Sequence, residues 1–288
     1  MINGNTVSKK DMYSIPMLVL WVGTKCSLKC KDCCNLIPYI KQKSFNIDFI
    51  IKDIKDLCKI CRIEYLQIQG GELFTHPEIE KIIRTIDKLD IPRIWITSNG
   101  TMTLKENVLV ALKKVKHPDF RITLSQYKDI GERQQKFCDV LIKNKIACNK
   151  YYFSTKVGRW LLIHRENKNN NNKKVQEIYD NCAFKVCTTL VDGRLFHCGN
   201  AYGSEEYFKI KFTNRENLDI RKLVINTGSN IEKSEIVKTF LEDKRFKEYC
   251  RYCLGTKGVK TVRGGIQITN QNKRIINYFR LFIKNLIK

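Results

Sequence analysis

Short apolar runs alternate with amphipathic stretches along the first half of the chain. The apolar runs have the length and β-branched content of strands, and they fall at residues 17–22, 65–69, 93–97, 120–124 and 147–153. Between them, apolar residues recur at helical spacing at residues 46–61, 78–89, 103–114 and 132–144. Strands that alternate with helices of this length favour parallel βα units.

About five to six βα units joined by right-handed crossovers predict an α/β fold, a partial and open parallel β/α barrel. In such barrels the chemistry takes place on the loops that follow the strands. The alternation stops at the polar segment 166–174 (ENKNNNNKK), which has too few apolar residues to bury a core. We therefore expect four regions: a partial barrel at 1–157, an Asn/Lys-rich linker at 158–180, a small cysteine-rich α+β domain at 181–256 and a basic tail at 257–288.

Thirteen cysteines are a high count for a chain of 288 residues. An odd number argues against a disulfide framework and favours metal ligands with a few buried thiols. No apolar run approaches the roughly 18–20 residues that cross a bilayer, and the first run lacks the features of a secretion signal. The sequence therefore predicts a cytoplasmic protein.

The chain carries a net charge of +24, from 53 Lys and Arg against 29 Asp and Glu. Such a charge suits an anionic partner, but Lys, Ile and Asn are abundant throughout and no nucleic-acid-binding motif accompanies them. We favour a compositional origin and predict no specific nucleic-acid partner. Residues 273–288 predict a basic amphipathic helix, which docks on the protein's own core or lies on an anionic membrane; docking is favoured.

Three cysteines stand close together after the first predicted strand, in the segment CSLKCKDC: Cys26, Cys30 and Cys33. Thiolates are soft, charged donors that bind iron–sulfur clusters. Three of them can hold three irons of a four-iron cube, which leaves the remaining iron open to a substrate or cofactor. A structural zinc site needs a fourth ligand nearby, and the adjacent Cys34 is expected to point away from Cys33. The triad therefore favours a catalytic iron–sulfur cluster.

This spacing, directly after the first strand of a βα array, resembles the radical S-adenosylmethionine (SAM) superfamily. Gly70-Gly71-Glu72 after the second predicted strand matches the family's Gly-Gly-Glu, and Ser98-Asn99-Gly100 after the third is similar to its Thr-Asn-Gly. Ser125, after the fourth strand, stands where the family often places a polar contact to the ribose or carboxylate of SAM. The resemblance covers about residues 15–155.

The resemblance implies a mechanism and a cofactor site. The open iron of a [4Fe–4S] cluster would chelate SAM, and reductive cleavage would give a 5′-deoxyadenosyl radical that abstracts hydrogen from a substrate. The implied SAM contacts are Gly70, Gly71, Glu72, Ser98, Asn99 and Ser125. An electron donor of flavodoxin or ferredoxin type is the implied protein partner. No residue is assigned a catalytic role, and none of the four histidines is assigned any.

Two positions depart from the family pattern. In the family, an aromatic residue just before the third cysteine packs on the adenine; in this chain that position is Asp32. Leu73 stands where the family has a proline after Gly-Gly-Glu. Adenine packing is then expected elsewhere, on Leu28 or on a backbone edge.

A second set of cysteines lies in the C-terminal region, at Cys182, Cys187, Cys198, Cys250 and Cys253. A predicted hairpin that ends at Cys198, closed against the distant C-x2-C pair, makes a metal cradle. The arrangement resembles the Twitch or SPASM extension of radical SAM enzymes, which carries auxiliary [4Fe–4S] clusters. No cysteine follows Cys253, so the one-cluster Twitch form fits better, with Cys182 or Cys187 as the fourth ligand. A structural zinc ribbon is the alternative.

We therefore expect a radical SAM enzyme that acts on a peptide or a sugar- or aminocyclitol-like small molecule, with the auxiliary cluster assisting an oxidation. Only about 14 residues precede the first strand, which disfavours a leader-dependent peptide modifier, and the positive charge suits a phosphorylated or nucleotide-linked sugar. Tyr127, Tyr152 and Trp160 fall where a substrate would contact the barrel, although core or rim positions fit them equally. The alternative is a zinc-bearing nucleic-acid-binding protein, which leaves the βα pattern and the Gly-Gly-Glu motif unexplained.

Overall fold

The computed structural model describes residues 9–125, 127, 131–151 and 159–269. The tail helix expected at 273–288 and Tyr152 lie outside these residues. Among the described helices, none is both long enough and apolar enough to cross a membrane.

One large sheet organises the described residues. Their strands, in chain order, are β1 (Ser14–Ile15), β2 (Leu18–Trp21), β3 (Arg62–Ile63), β4 (Tyr65–Gln69), β5 (Arg93–Ser98), β6 (Phe120–Ser125), β7 (Cys148–Tyr151), β8 (Arg159–Leu161), β9 (Thr188–Val191), β10 (Arg194–Phe196), β11 (Leu218–Asp219) and β12 (Thr261–Arg263). Eight of them form the sheet in the order β11-β10-β9-β2-β4-β5-β6-β7. Neighbours from β9 to β7 run parallel, whereas β10 and β11 run antiparallel. This topology confirms the predicted partial parallel barrel.

Helices follow the barrel strands, close to the predicted positions. The α-helices of the described residues are α1 (Ile47–Ile60), α2 (Ile79–Ile86), α3 (Glu106–Lys113), α4 (Gly131–Lys143), α5 (Asn172–Asp180), α6 (Ala201–Phe208), α7 (Ile220–Ile225) and α8 (Asn230–Leu241). Helix α1 begins where the Asn46 side chain accepts hydrogen bonds from Asp48 N at 3.0 Å and Phe49 N at 3.1 Å. Helix α3 begins later than predicted, because Lys105 rather than Thr103 stands at its N-cap.

Side chains on the central strands alternate between two faces. On β4, Leu66 and Ile68 are fully buried in the hydrophobic core that also contains the isoleucines of α2. Gln67 and Gln69 point to the opposite face, which lines the interior of the barrel. The sheet thus has an apolar outer face under the helices and an inner face of mixed polar and aromatic side chains that lines the cavity.

The cysteine-rich region adds strands to this sheet. β9 pairs in parallel with β2, from Leu18 opposite Thr188 to Trp21 opposite Val191. The apolar residues of β9 and β10 belong to the same core as those of the barrel. We therefore revise the expected separate domain at 181–256, because its hairpin extends the barrel sheet and shares its core.

Part of the expected linker at 158–180 also forms regular structure. Asn171 caps α5 by accepting a hydrogen bond from Lys174 N at 3.0 Å, and Val175 is fully buried. Residues 172–180 of the expected linker are therefore helical. The sequence signal was weak because α5 buries few apolar residues within a run of Asn and Lys.

Candidate functional site

The carboxyl ends of the parallel strands surround a cavity of about 390 Å³ inside the barrel. It is lined by residues that the sequence analysis singled out on the loops after β2 and β4 and at the carboxyl ends of β5 and β6. These are Cys26, Cys30, Cys33, Gly70, Gly71, Ser98, Asn99 and Ser125. Residues that are far apart in the sequence thus share one cavity, as expected at the loop edge of a parallel barrel.

The cysteine-bearing loop, residues 23–33 (the cluster loop), packs against the Gly-Gly pair after β4. Gly71 N donates to Gly23 O at 3.1 Å, and Glu72 N donates to Lys25 O at 2.7 Å. A Cβ on Gly71 would lie 2.2 Å from Lys25 O, so only glycine permits this approach. Gly71 therefore holds the cluster loop in place as well as lining the cavity.

The loop thiols sit in a shielded environment with hydrogen-bond donors to sulfur. Cys26 Sγ accepts from Leu28 N at 3.4 Å and from Asn99 Nδ2 at 3.7 Å. Cys30 Sγ accepts from Gln267 Nε2 at 3.4 Å. Burial raises the pKa of the Cys26 thiol to about 12 and that of Cys30 to about 11. Metal-free, these thiols are protonated at neutral pH, and iron binding must displace their protons.

The donor set is compatible with a cluster. Three thiols line one cavity, and soft thiolates are the ligands that iron–sulfur clusters take. In the described residues, no three or more Cys, His, Asp or Glu side chains converge on a point for a single metal ion. A cluster does not require that convergence, because each thiolate binds a different iron.

Glu72 lies beneath the cavity and is not one of its lining residues. Its side chain is 2% exposed; Oε1 accepts from Ser98 Oγ at 2.9 Å and Oε2 from Asn99 N at 2.6 Å. Burial raises the pKa of this carboxyl to about 7, although these hydrogen bonds oppose the shift. The resemblance implied a contact between Glu72 and SAM. In this geometry the carboxylate instead joins the ends of β4 and β5.

The buried carboxyl of Glu72 predicts a pH-dependent stability. Its pKa in the folded protein, about 7, lies above the ordinary value of 4.5, so the folded state binds more protons between these two values. The contribution of Glu72 to the free energy of unfolding therefore falls as the pH rises from about 4.5 to about 7, and it is constant above that range.

The variant Glu72→Gln removes this dependence. The difference in free energy of unfolding between wild type and variant should change across that window and stay level outside it. Urea unfolding of the iron-free protein at a series of pH values measures the difference. A difference that is the same at pH 4.5 and pH 7 would contradict the raised pKa.

Gln134, on α4, is a site residue that the sequence analysis missed. Its amide nitrogen donates to Asn99 O at 2.8 Å and to Ser125 O, and its side chain is buried. It thereby ties the ends of β5 and β6 together below the cavity. A glutamine in an amphipathic helix carries no sequence signal for such a role, because most face the solvent.

A second, smaller cavity lies in the cysteine-rich region. Its lining includes four thiols: Cys182, Cys198, Cys250 and Cys253. Burial raises the pKa of Cys250 to about 12 and that of Cys253 to about 11, and the neighbouring thiols add to both shifts. Thiols from three segments of the chain thus face one cavity, the donor set of an iron–sulfur or zinc site.

Cys187 lies in a different place from these four thiols. It lines the first cavity, as does Cys34. Phe184 and Asn200 line both cavities and so form the wall between them. Of the two cysteines that the sequence left open, Cys182 is the one that lines the second cavity.

Two histidines also line the second cavity, although the sequence analysis assigned them no role. His164 Nδ1, His197 Nε2 and the neighbouring Tyr249 hydroxyl are buried and have no hydrogen-bond partner among the described residues. Burial lowers the pKa of His197 to about 3, so its ring is neutral. β10 ends at Phe196, so His197 and Cys198 follow the strand and their side chains need not alternate between its two faces. His164 Nε2 donates to Cys34 O, so Nδ1 of its neutral ring is an acceptor. His197 Nε2 and the Tyr249 hydroxyl can each donate, and donors beside four thiols fit a sulfur-rich group, which accepts hydrogen bonds.

Comparisons with known proteins extend this picture. No curated protein matches the chain. Similar solved structures include SuiB of Streptococcus suis bound to S-adenosylmethionine, with 18% identity over 50% of this chain and 35% of that chain and a TM-score of 0.42. They also include anSMEcpe with bound AdoMet and Cp18Cys peptide (14% identity, 95% of this chain, 100% of that chain, TM-score 0.46) and HydG, a maturase of the FeFe hydrogenase (17% identity, 48% of this chain, 35% of that chain, TM-score 0.34). The chain spans about a third of the lengths of SuiB and HydG.

The family comparison covers the barrel itself. Residues 22–169, just over half of the chain, match the Radical SAM superfamily. The matched segment contains the cluster loop, the Gly-Gly-Glu motif and strands β4 to β7 of the barrel. The chain therefore belongs to the radical SAM superfamily, whose members are enzymes that use a [4Fe–4S] cluster and S-adenosylmethionine.

Proposed function

We propose that the first cavity is the active site, with the catalytic [4Fe–4S] cluster bound by Cys26, Cys30 and Cys33. The observation that carries this proposal is that the three thiols share one cavity with the backbone after β4 and the polar side chains after β5 and β6. The proposed SAM subsite consists of Gly70, Gly71, Ser98, Asn99 and Ser125. When bound, the cluster supplies the electron that cleaves SAM to methionine and a 5′-deoxyadenosyl radical, which abstracts hydrogen from the substrate.

The chain's own residues position these groups. Asn99 reaches both the Cys26 sulfur and, at 3.0 Å, the Ser27 hydroxyl, so it links the cluster loop to the proposed SAM subsite. Glu72 fixes the backbone of Asn99 from below. Leu28 lines the cavity and Asp32 does not, so Leu28 is the proposed packing surface for the adenine. These contacts exist within the protein itself, so they hold the subsite in shape before SAM binds.

The inner wall of the barrel suggests the chemistry of the substrate. Hydroxyl and amide groups form a chain along it: Gln67 Nε2 donates to Thr97 Oγ1 at 2.7 Å, and Thr97 Oγ1 lies 3.1 Å from Thr123 Oγ1. Tyr65, Trp95, Tyr127 and Trp160 add aromatic surface to the lining. Such a wall suits an uncharged, hydrogen-bonding group with an apolar face, such as a peptide segment or a sugar-like ring.

The charges of the cavity-lining residues indicate whether the reacting part of the substrate is charged or neutral. Among the described lining residues, none is a lysine, an arginine, an aspartate or a glutamate. Among these described residues, a phosphate inside the cavity would find no cation to pair with, and burying an unpaired charge is costly. We therefore propose that the reacting part of the substrate is neutral, despite the chain's net charge of +24.

We further propose an auxiliary iron–sulfur cluster bound by Cys182, Cys198, Cys250 and Cys253. Full ligation by four thiolates suits electron transfer, so the cluster would accept an electron from a substrate radical and make the net reaction an oxidation. A flavodoxin- or ferredoxin-type protein is the proposed source of the first electron. Membership of the radical SAM superfamily disfavours the alternative of a zinc-bearing nucleic-acid-binding protein.

A substrate screen tests the proposal that the reacting part of the substrate is neutral. The iron-loaded protein, SAM and a reductant are combined anaerobically with neutral sugars, aminocyclitols, peptides and matched phosphorylated sugars. We expect a neutral compound to raise the yield of 5′-deoxyadenosine above the substrate-free level, and its phosphorylated counterpart to raise it less. A screen in which only phosphorylated sugars stimulate the yield would contradict the proposal.

The nearly isosteric variant Thr97→Val tests whether the substrate contacts the hydroxyl groups of this wall. Removing one hydroxyl from the wall should raise the KM for a stimulating substrate about three- to tenfold, the worth of one hydrogen bond. Cleavage of SAM without substrate should remain close to the wild-type rate, because Thr97 is not part of the proposed SAM subsite.

A further inference from the structure

A C-terminal segment crosses the cluster loop. This segment, residues 261–269 (the strap), follows the turn that carries Cys250 and Cys253. It begins as β12, which pairs antiparallel with β8. It then runs antiparallel to the cluster loop, where Lys31 N donates to Ile266 O and Ile268 N donates to Lys29 O, both at 2.8 Å. Backbone hydrogen bonds therefore fix the strap to the loop that carries the proposed catalytic ligands.

Gln267 lies at the centre of this pairing, opposite Cys30. Its Oε1 accepts from Lys29 N at 2.7 Å, and its Nε2 donates to Cys30 Sγ at 3.4 Å and to Gly265 O at 2.6 Å. The orientation of the amide follows from its partners, because Lys29 N can only donate and must face the oxygen. The amide nitrogen is thereby directed at the sulfur of Cys30.

The strap also packs tightly on two aromatic side chains of the cavity wall. A Cβ on Gly264 would lie 2.6 Å from Trp160 Nε1, and a Cβ on Gly265 would lie 2.8 Å from Tyr127 Cδ1. Gly265 has a φ of +79°, a conformation that glycine adopts without strain. Two adjacent glycines therefore let the strap approach closely enough for Gln267 to reach the cluster loop.

We infer that Gln267 is a positioning residue that raises the reduction potential of the catalytic cluster by donating a hydrogen bond to the Cys30 thiolate. The inference rests on the proposed ligation of that cluster by the triad. Reduction adds negative charge to a cluster and its thiolates, and an N–H donor stabilises that charge more in the reduced than in the oxidised state. Cys30 is only 6% exposed, so water competes little for the sulfur.

Two substitutions separate the hydrogen bond from the docking of the strap. Gln267→Glu keeps an oxygen for Lys29 N but replaces the donor with an acceptor, and it adds a negative charge. Gln267→Leu removes both contacts without adding charge. In an EPR-monitored redox titration we expect both variants to shift the reduction equilibrium about tenfold or more toward the oxidised cluster, a potential lower by at least about 59 mV.

Gln42→Leu is the matched control. Gln42 also contacts the cluster loop, accepting from Cys26 N at 3.1 Å and donating to Ile37 O at 2.6 Å, but it donates to no sulfur. Loss of this side chain should loosen the loop and speed the release of iron to a chelator, while the potential of the bound cluster stays at the wild-type value.

Iron content and the EPR signal of the wild type are measured first, and a wild type without a reducible cluster would refute the proposed function itself. If the wild type holds the cluster, wild-type potentials in both Gln267 variants would overturn the inference. It is overturned equally if the variants lose iron but the remaining cluster keeps the wild-type potential, since Gln267 would then act only through docking. If Gln267→Leu fails to fold, Gln267→Glu decides, because it retains the contact to Lys29.

Discussion

Replacing Cys26, Cys30 and Cys33 together by alanine is expected to remove about four irons per chain and to abolish the formation of 5′-deoxyadenosine. The expectation follows from the lining of the first cavity, where the three thiols lie beside the proposed SAM subsite. Without their thiolates no iron is held there, and SAM loses both its binding partner and the source of its electron.

The triple variant should keep the wild-type fold. The cluster loop is held by backbone hydrogen bonds from Gly71 to Gly23 and from Glu72 to Lys25, and neither involves a thiol. The proposed auxiliary site lies in a separate cavity, so the triple variant should stay brown and retain its remaining iron.

The control for the triad is Cys34→Ala. Cys34 is adjacent to Cys33 in the sequence, yet we propose that it binds no iron. The Cys34→Ala variant should therefore retain the wild-type iron content. Iron analysis together with mass-spectrometric detection of 5′-deoxyadenosine provides both readouts, and a triple variant that still cleaves SAM would exclude the triad as the catalytic site.

Cys182→Ala is expected to remove the proposed auxiliary cluster, whereas Cys187→Ala is expected to leave it in place. The first removes a thiol from the second cavity and should lower the iron content from about eight to about four per chain. The second removes a thiol that faces the first cavity, so the iron content should remain at about eight.

The reaction products should also distinguish the roles of the two proposed clusters. Cys182→Ala should still form 5′-deoxyadenosine, because the triad is intact, but it should lose the net oxidation of a stimulating substrate. If Cys187→Ala loses iron and Cys182→Ala keeps it, the auxiliary ligands are assigned the wrong way round. If neither loses iron, the second cavity holds no cluster.

The barrel could be predicted from the sequence because its signals are local. Strand β4 and helix α1 each bury one periodic face, and the periodicity alone places them within a residue or so of their observed ends. The cluster loop was equally visible, since ligand chemistry demands one residue type at short, fixed spacing.

What the sequence could not show depends on contacts between distant segments. The parallel pairing of β9 with β2 joins the cysteine-rich region to the barrel, and no local pattern encodes which strand a strand pairs with. The choice between Cys182 and Cys187 likewise depends on which cavity each faces. Gln267 reaches Cys30 only because the strap folds back across the chain. Such contacts are set by tertiary packing, which a single sequence does not reveal.

The most direct test of the account is the reaction of the wild-type protein with SAM. The protein is reconstituted anaerobically with iron and sulfide, reduced, mixed with SAM and assayed for 5′-deoxyadenosine and methionine. We predict a brown, iron-containing protein that forms both products in equal amounts, and more of them when a substrate is present. An iron-loaded, reducible protein that leaves SAM intact would contradict the proposed active site.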